Sequence, residues 1–243
     1  AVEHVTELRT EHTAILFLLP VIGLVIVALY KAAKLEGVST DDMIDCVKDG
    51  KPIRFWLLPV MFISTVLTHL GGGSAGREGA ALQMGGTIGW WAGGVLHLNE
   101  HERRMAVQCG MAAFFSALFS TPLAATFFAM TIVNVGVVFY AAYIPCFAAA
   151  LIAYGISLLI GVSPTRFAVD VPAFEPAMVV RVVLLALACA VVVHLFCFVL
   201  HSAAHGLPKL LPNPWVRVFL GGCVVVLFTL LYGDMRYNGA GVN

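Results

Sequence analysis

Gly71-Gly72-Gly73-Ser74-Ala75-Gly76-Arg77-Glu78-Gly79 joins two apolar segments, 55–70 and 80–98, that hold no Asp, Glu, Lys or Arg. Five of these nine residues are glycine, and one cation and one anion sit side by side among them. Irregular backbone at bilayer depth is tolerated only where protein buries it or where it lines a watery cavity. Ionisable residues at that depth are costly and functional by default. The turn therefore predicts interrupted helices meeting around a cavity, and not a simple bundle of full-length spans.

The surrounding composition requires a membrane. The chain has 243 residues, 60% hydrophobic and 12% charged, against about 25% charged residues in soluble domains. Mean hydropathy is +0.93. Residues 105–165 form 61 consecutive positions without Asp, Glu, Lys, Arg or His, enough for two or three passes at about 20 residues each. The alternating segments of about ten residues that mark a β-barrel are missing from the sequence. The predicted class is an all-α integral membrane protein. Fourteen basic residues balance fourteen acidic ones, so no net field favours a nucleic-acid partner.

Working outward, 13–30 reads as a first span with a kink at Pro20, and 1–12 as a polar lead without a signal-peptide layout. Ser39 and Asp42 have capping-box spacing, and Gly50 and Pro52 fit a helix stop, so 40–49 reads as a short polar helix. Asp41, Asp42, Asp45 and Asp49 on it read as a solvated face. In 80–98, Gly85, Gly89 and Gly93 lie four apart, a stripe that lets membrane helices approach closely. Residues 99–104 read as a polar loop. Thr121 as N-cap and Pro122 as first helical residue open another helix running to about Ile132. Further spans are read at 141–162, 182–200 and 219–231. Lys31, Lys34, Lys48, Lys51 and Arg54 place the loop after the first span in the cytoplasm, and the glycine turn outside or at mid-depth.

The six cysteines (Cys46, Cys109, Cys146, Cys189, Cys197, Cys223) form no CxxC pair and read as small core hydrophobes. His194, His201 and His205 share a helical face without a Cys or carboxylate pair beside them, and read as interfacial or packed. Nothing calls for a metal or a cofactor, and no GxSxG, HExxH or P-loop pattern suggests an enzyme. The chain opens on Ala1 and stops on Gly239-Ala240-Gly241-Val242-Asn243, which reads as a stretch cut from a longer chain.

The glycine turn carries the chemistry. Its glycines free backbone N–H groups to point into a cavity, and a helix starting near Ala80 adds the positive end of its dipole. Together they make an anion site, with Glu78 in the place of the anion. A carboxylate occupies such a site when ionised and leaves it when protonated. One side chain then both carries a proton and competes with the anion. The other reading of the same residues is a local Arg77–Glu78 surface turn.

Gly76-Arg77-Glu78-Gly79, followed by Ala81-Leu82-Gln83-Met84-Gly85-Gly86, resembles the GREGP region of the CLC chloride channel and transporter family. Ser120-Thr121-Pro122-Leu123-Ala124 resembles that family's Asn-Ala-Pro-Leu-Ala segment, and Lys51-Pro52-Ile53-Arg54 also fits. The resemblance implies a fold of two inverted halves built from tilted, broken helices, here the first half and the start of the second within one domain, 1–243. It implies anion transport of chloride, fluoride or both by a homodimer in the plasma (inner) membrane, each subunit carrying halide in exchange for protons. A passive chloride channel with Glu78 as gate only is the alternative. It further implies Glu78 as the gating glutamate and proton carrier, with backbone around Gly76, Arg77, Gly79 and Ala80 at the external anion site.

Three positions depart from the family pattern. The GSGIP motif aligns with Gly37-Val38-Ser39-Thr40-Asp41, which puts Val38 where the family has its central serine and leaves Ser39 and Thr40 to complete that anion site. Ile132, flanked by Thr131 and Val133, stands where many exchangers have an internal proton-relay glutamate. Ala80 replaces the motif's proline. The fluoride/proton branch also varies at these places, and Thr68-His69-Leu70 with the turn that follows is similar to it. The later GxFxP motif and central tyrosine have no counterpart, and 232–243 echoes 34–40 as an inverted repeat requires.

Overall fold

The computed structural model describes residues 2–132, 140–162, 176–235 and 237–239. Among them the regular structure is helical. Ten α-helices follow in order: α1 (Val2–Glu11), α2 (Leu19–Ala32), α3 (Thr40–Asp49), α4 (Leu57–Leu70), α5 (Glu78–Val95), α6 (Glu100–Phe119), α7 (Pro122–Thr131), α8 (Tyr143–Leu159), α9 (Pro176–Leu210) and α10 (Pro214–Tyr232). Short 3-10 turns, Thr13–Leu18 and Tyr140–Ala142, lead into α2 and α8.

Among the described residues, four stretches are long and apolar enough to cross a membrane: Thr13–Ala32, Tyr140–Leu159, Met178–Leu210 and Pro214–Tyr232. The apolar helices α4 and α7 have 14 and 10 residues. At 1.5 Å per residue they reach about 21 and 15 Å, short of the ~30 Å hydrocarbon core. These are the interrupted segments that the glycine turn predicts.

α5 and α6 pack closely because glycine removes the side chains between them. A Cβ at Gly85 would strike the Gly110 carbonyl, and one at Gly89 the Ala106 carbonyl. The main core lies around this pair and includes Met43, Cys46, Leu57, Leu82, Met111 and Cys146. All six cysteines are free. Cys189 and Cys197 lie exposed on α9 and are not core residues. α10 packs on α2 through Gly222, whose missing side chain leaves room for the Pro20 backbone.

The capped elements explain their own limits. α3 starts at Ser39, whose hydroxyl accepts from the Asp41 N–H at 3.1 Å while the Ser39 N–H donates to Asp42 Oδ2 at 2.6 Å. It ends at Gly50 in the left-handed conformation. Several boundaries differ from expectation. Pro20 lies in the first turn of α2, where its lost N–H costs nothing, and marks a start and not a kink. Residues 100–104 are helical, because Asn99 and Glu102 form a second capping box (Glu102 N–H to Asn99 Oδ1, 2.9 Å). Thr121 makes no side-chain cap; its backbone (φ −127°, ψ 71°) lies outside the extended conformation seen at the capped starts of α3 and α6. α9 runs 35 residues, because helix continues through the polar flanks that hydropathy excludes. Of the histidines on α9, His201 and His205 stack at 5.1 Å on an exposed surface. Among the described residues no group of three or more His, Cys, Asp or Glu is placed to hold a metal. Val133 and residues 240–243 lie outside the described residues.

Candidate functional site: two helix starts at the glycine turn

The turn between α4 and α5 is shaped from behind. Gly72 has φ +79°, a conformation that favours glycine. Its carbonyl accepts from the buried Asn238 amide at 2.9 Å. The Ser74 hydroxyl donates to the Tyr237 carbonyl at 2.6 Å, and the Ala75 N–H to the Gly239 carbonyl at 3.2 Å. Arg9, 1% exposed, donates to the His69 carbonyl at 2.8 Å. His69, at the end of α4, uses Nδ1 on the Thr65 carbonyl at 2.8 Å.

The front of the turn holds the site residues. α5 begins with Glu78 as its first residue, two positions before the expected start near Ala80, because an acidic side chain suits the positive end of a helix. Arg77, at the N-cap position, makes no side-chain cap. The Glu78 side chain is exposed and folds back over Gly76, whose missing Cβ leaves room for Oε2. Arg77, Gly79 and Ala80 are half-buried. Arg77 and Ala80 line a largely apolar cavity of about 450 Å³ with Phe62, Met84, Phe114 and Ile160.

The structure brings the 38–40 segment against this turn. Thr40 Oγ1 lies 3.4 Å from where a Cβ on Gly79 would be, and it accepts from Gln83 Nε2 at 3.2 Å. Val38 is half-buried against the core and lines a second cavity, about 370 Å³, with Lys34, Asp42, Lys51, Arg54 and Leu57. Ser39 is committed to the α3 capping box. Lys51 donates to Asp45 at 2.5 Å, and that bond holds its ammonium pKa above the ordinary value. The buried thiol of Cys46 is pushed up to about 12 by desolvation. Residues 19–242 match the family described as voltage gated chloride channel. The chain belongs to that family.

Within the voltage gated chloride channel family, the chain is similar to the chloride/fluoride channel protein of Pseudomonas syringae pv. tomato (strain ATCC BAA-871 / DC3000). The two are 30% identical over 242 residues, which is 98% of this chain and 53% of the relative. It is similar to the crystal structure of a CLC-type fluoride/proton antiporter with a TM-score of 0.91 and 29% identity, over 98% of this chain and 61% of that one. A slow cyanobacterial Cl-/H+ antiporter shares the fold, with a TM-score of 0.77 and 19% identity over 99% of this chain and 59% of that one. The chain thus spans about half to three-fifths of the length of these relatives. The CLC resemblance and the all-helical broken-helix fold stand on these matches.

Gln83 is the residue that sequence reasoning passed over. It is buried on a largely apolar helix, one turn after Gly79, and a long polar side chain in that setting is itself a signal. Ile132, half-buried at the end of α7, brings no titratable group there.

Proposed function

We propose that the protein moves halide anions, fluoride among them, across the membrane in exchange for protons, with Glu78 as gate and proton carrier. One observation carries this reading: the start of α5 presents an exposed carboxylate and no side-chain cap, directly beside the start of α3. Backbone N–H groups at an uncapped helix start attract anions. An ionised Glu78 competes for that position, and protonation removes its claim on it. Anion passage and proton carriage are then alternate states of one side chain. The relatives supply the substrate class, since one is named for chloride and fluoride and another for fluoride/proton antiport.

In this reading Gly76, Arg77, Gly79 and Ala80 frame the outer anion position, and Val38, Ser39 and Thr40 the inner one. The protein acts as a transporter and not an enzyme. It works as a homodimer in the inner membrane with the lysine-rich loop after α2 in the cytoplasm, and 1–243 forms one transmembrane unit.

The test is reconstitution of the protein in its native length into liposomes, with a fluoride or a chloride gradient and a pH electrode outside. Proton movement against its gradient, driven by fluoride, is the expected result. Anion flux without protons would replace antiport by a passive channel gated by Glu78, which the name of the Pseudomonas syringae relative favours. No anion flux would sink both.

A further inference from the structure

We propose that Thr40 and Gln83 form the side-chain donor pair of the anion path, Thr40 giving the hydrogen bond and Gln83 positioning it; this rests on the transport reading above. Three residues at the start of α3 face the question of which side chain meets the anion. Val38 has no donor. The Ser39 hydroxyl is occupied, accepting from the Asp41 N–H at 3.1 Å with Asp42 Oδ2 at 3.5 Å for its proton. The Thr40 hydroxyl only accepts, from Gln83 Nε2 at 3.2 Å, and donates to no group among the described residues. Its proton is free, and its oxygen stands against Gly79, the residue after Glu78.

Gln83 ties α5 to Thr40 through one half of its amide and leaves the other half unsatisfied. It is 6% exposed, and its Oε1 has no partner. A buried, half-satisfied amide destabilises a fold and persists where it does something else. Its placement follows from helix geometry. Gly79, Gln83 and Gly86 repeat at i, i+4 and i+7 on the face of α5 turned to α3, where a Cβ on Gly86 would come 3.0 Å from Met43 Sδ. The two glycines let α3 approach, and the one long side chain between them reaches Thr40.

This donor is directional and single, so it discriminates. Fluoride is small and accepts a hydrogen bond strongly, and a bond to a charged acceptor is worth about twice a neutral one. Chloride, larger and weaker as an acceptor, loses less when the donor goes. The pair therefore sets the fluoride-to-chloride ratio, in place of the hydroxyl that Val38 lacks.

The experiment uses the protein in its native length in liposomes, measuring initial fluoride and chloride efflux and the proton-to-anion ratio. Thr40→Val keeps the shape and is expected to lower fluoride turnover about tenfold while chloride falls less. Thr40→Ser is expected to keep the wild-type ratio. Gln83→Met is expected to raise the fluoride concentration for half-maximal flux about threefold, and Thr40→Val with Gln83→Met to be no worse than Thr40→Val alone. Should Thr40→Val fail to fold, Thr40→Ala carries the same expectation. An unchanged fluoride-to-chloride ratio without the hydroxyl, or a Gln83 effect that multiplies fully with that of Thr40, overturns the pair. Wild-type anion flux without protons overturns antiport and leaves the ratio as the test of the pair. No wild-type flux overturns both.

Discussion

The helix starts at Ser39 and at Arg77 lie side by side and are built in opposite ways. At α3 the serine hydroxyl and the Asp42 carboxylate take up the first amides, as Asn99 and Glu102 do at α6. At α5 no side chain caps the helix, and the Glu78 carboxylate folds back over Gly76. A satisfied helix start is a structural joint. An unsatisfied one keeps N–H groups and dipole available to a ligand. The difference teaches where to look for the anion: at the start that the protein leaves open, with the closed one contributing a side chain and not its amides.

The strongest way to break this contrast is Glu78→Gln. The amide cannot carry a proton, so proton coupling is expected to vanish in liposomes, with anion movement either retained or locked. Unchanged proton transport would remove Glu78 from the mechanism. Gly76→Ala sharpens the point. Its methyl occupies the space of Glu78 Oε2, so that carboxylate is displaced and anion flux is expected to change several-fold while the thermal midpoint holds. Flux identical to wild type would show that the folded-back carboxylate is incidental.

The closed starts should answer differently. Ser39→Ala and Asn99→Ala each remove a capping box and are expected to cost about 1 kcal/mol of stability. Thermal unfolding in detergent would show a lower midpoint for both, while in Asn99→Ala the proton-to-anion ratio stays at the wild-type value. A changed ratio in Asn99→Ala would mean that caps and transport are not separable. Lys51→Ala should do least, since its partner Asp45 is at the surface. The Lys51 pKa is raised in the fold, so the small contribution of the pair is complete below the ordinary value of 10.5 and fades as pH rises through the higher one. The difference between wild type and Lys51→Ala is expected to be constant from pH 7 to 9 and to shrink only above that window. A difference that shrank between pH 7 and 9 would contradict the assignment to Lys51.

What the sequence made legible is what local chemistry determines. Ser39, Asp42 and Gly50 write both ends of α3, Gly85 and Gly89 write the close face of α5, and Pro122 writes the start of α7. The glycine turn with Arg77 and Glu78 was readable for the same reason. The start of α6 was missed because five charged or polar residues masked a capping box spelled out in Asn99 and Glu102. The full length of α9 was missed because hydropathy marks only its apolar centre. The Arg9–His69 and Asn238–Gly72 bonds span 60 and 166 residues, and no pattern in one segment announces a partner so far away. The meeting of Thr40 with Gly79 belongs to that class too, since it needs α3 and α5 to be packed before it exists.

The bonds behind the glycine turn have a consequence for how the protein is made. The Ser74 hydroxyl must wait for a carbonyl 163 residues later, and the Gly72 carbonyl for an amide 166 residues later. At synthesis rates of about 5–20 residues per second, that is roughly 8–30 s during which the turn has been translated but these two supports have not. Through that interval Glu78 sits on an unfinished frame, in a membrane already holding α2 and α4. The Glu78 turn thus acquires its full set of supports as a late event of biogenesis, and a ribosome stalled before residue 237 leaves it without the contacts to Tyr237, Asn238 and Gly239.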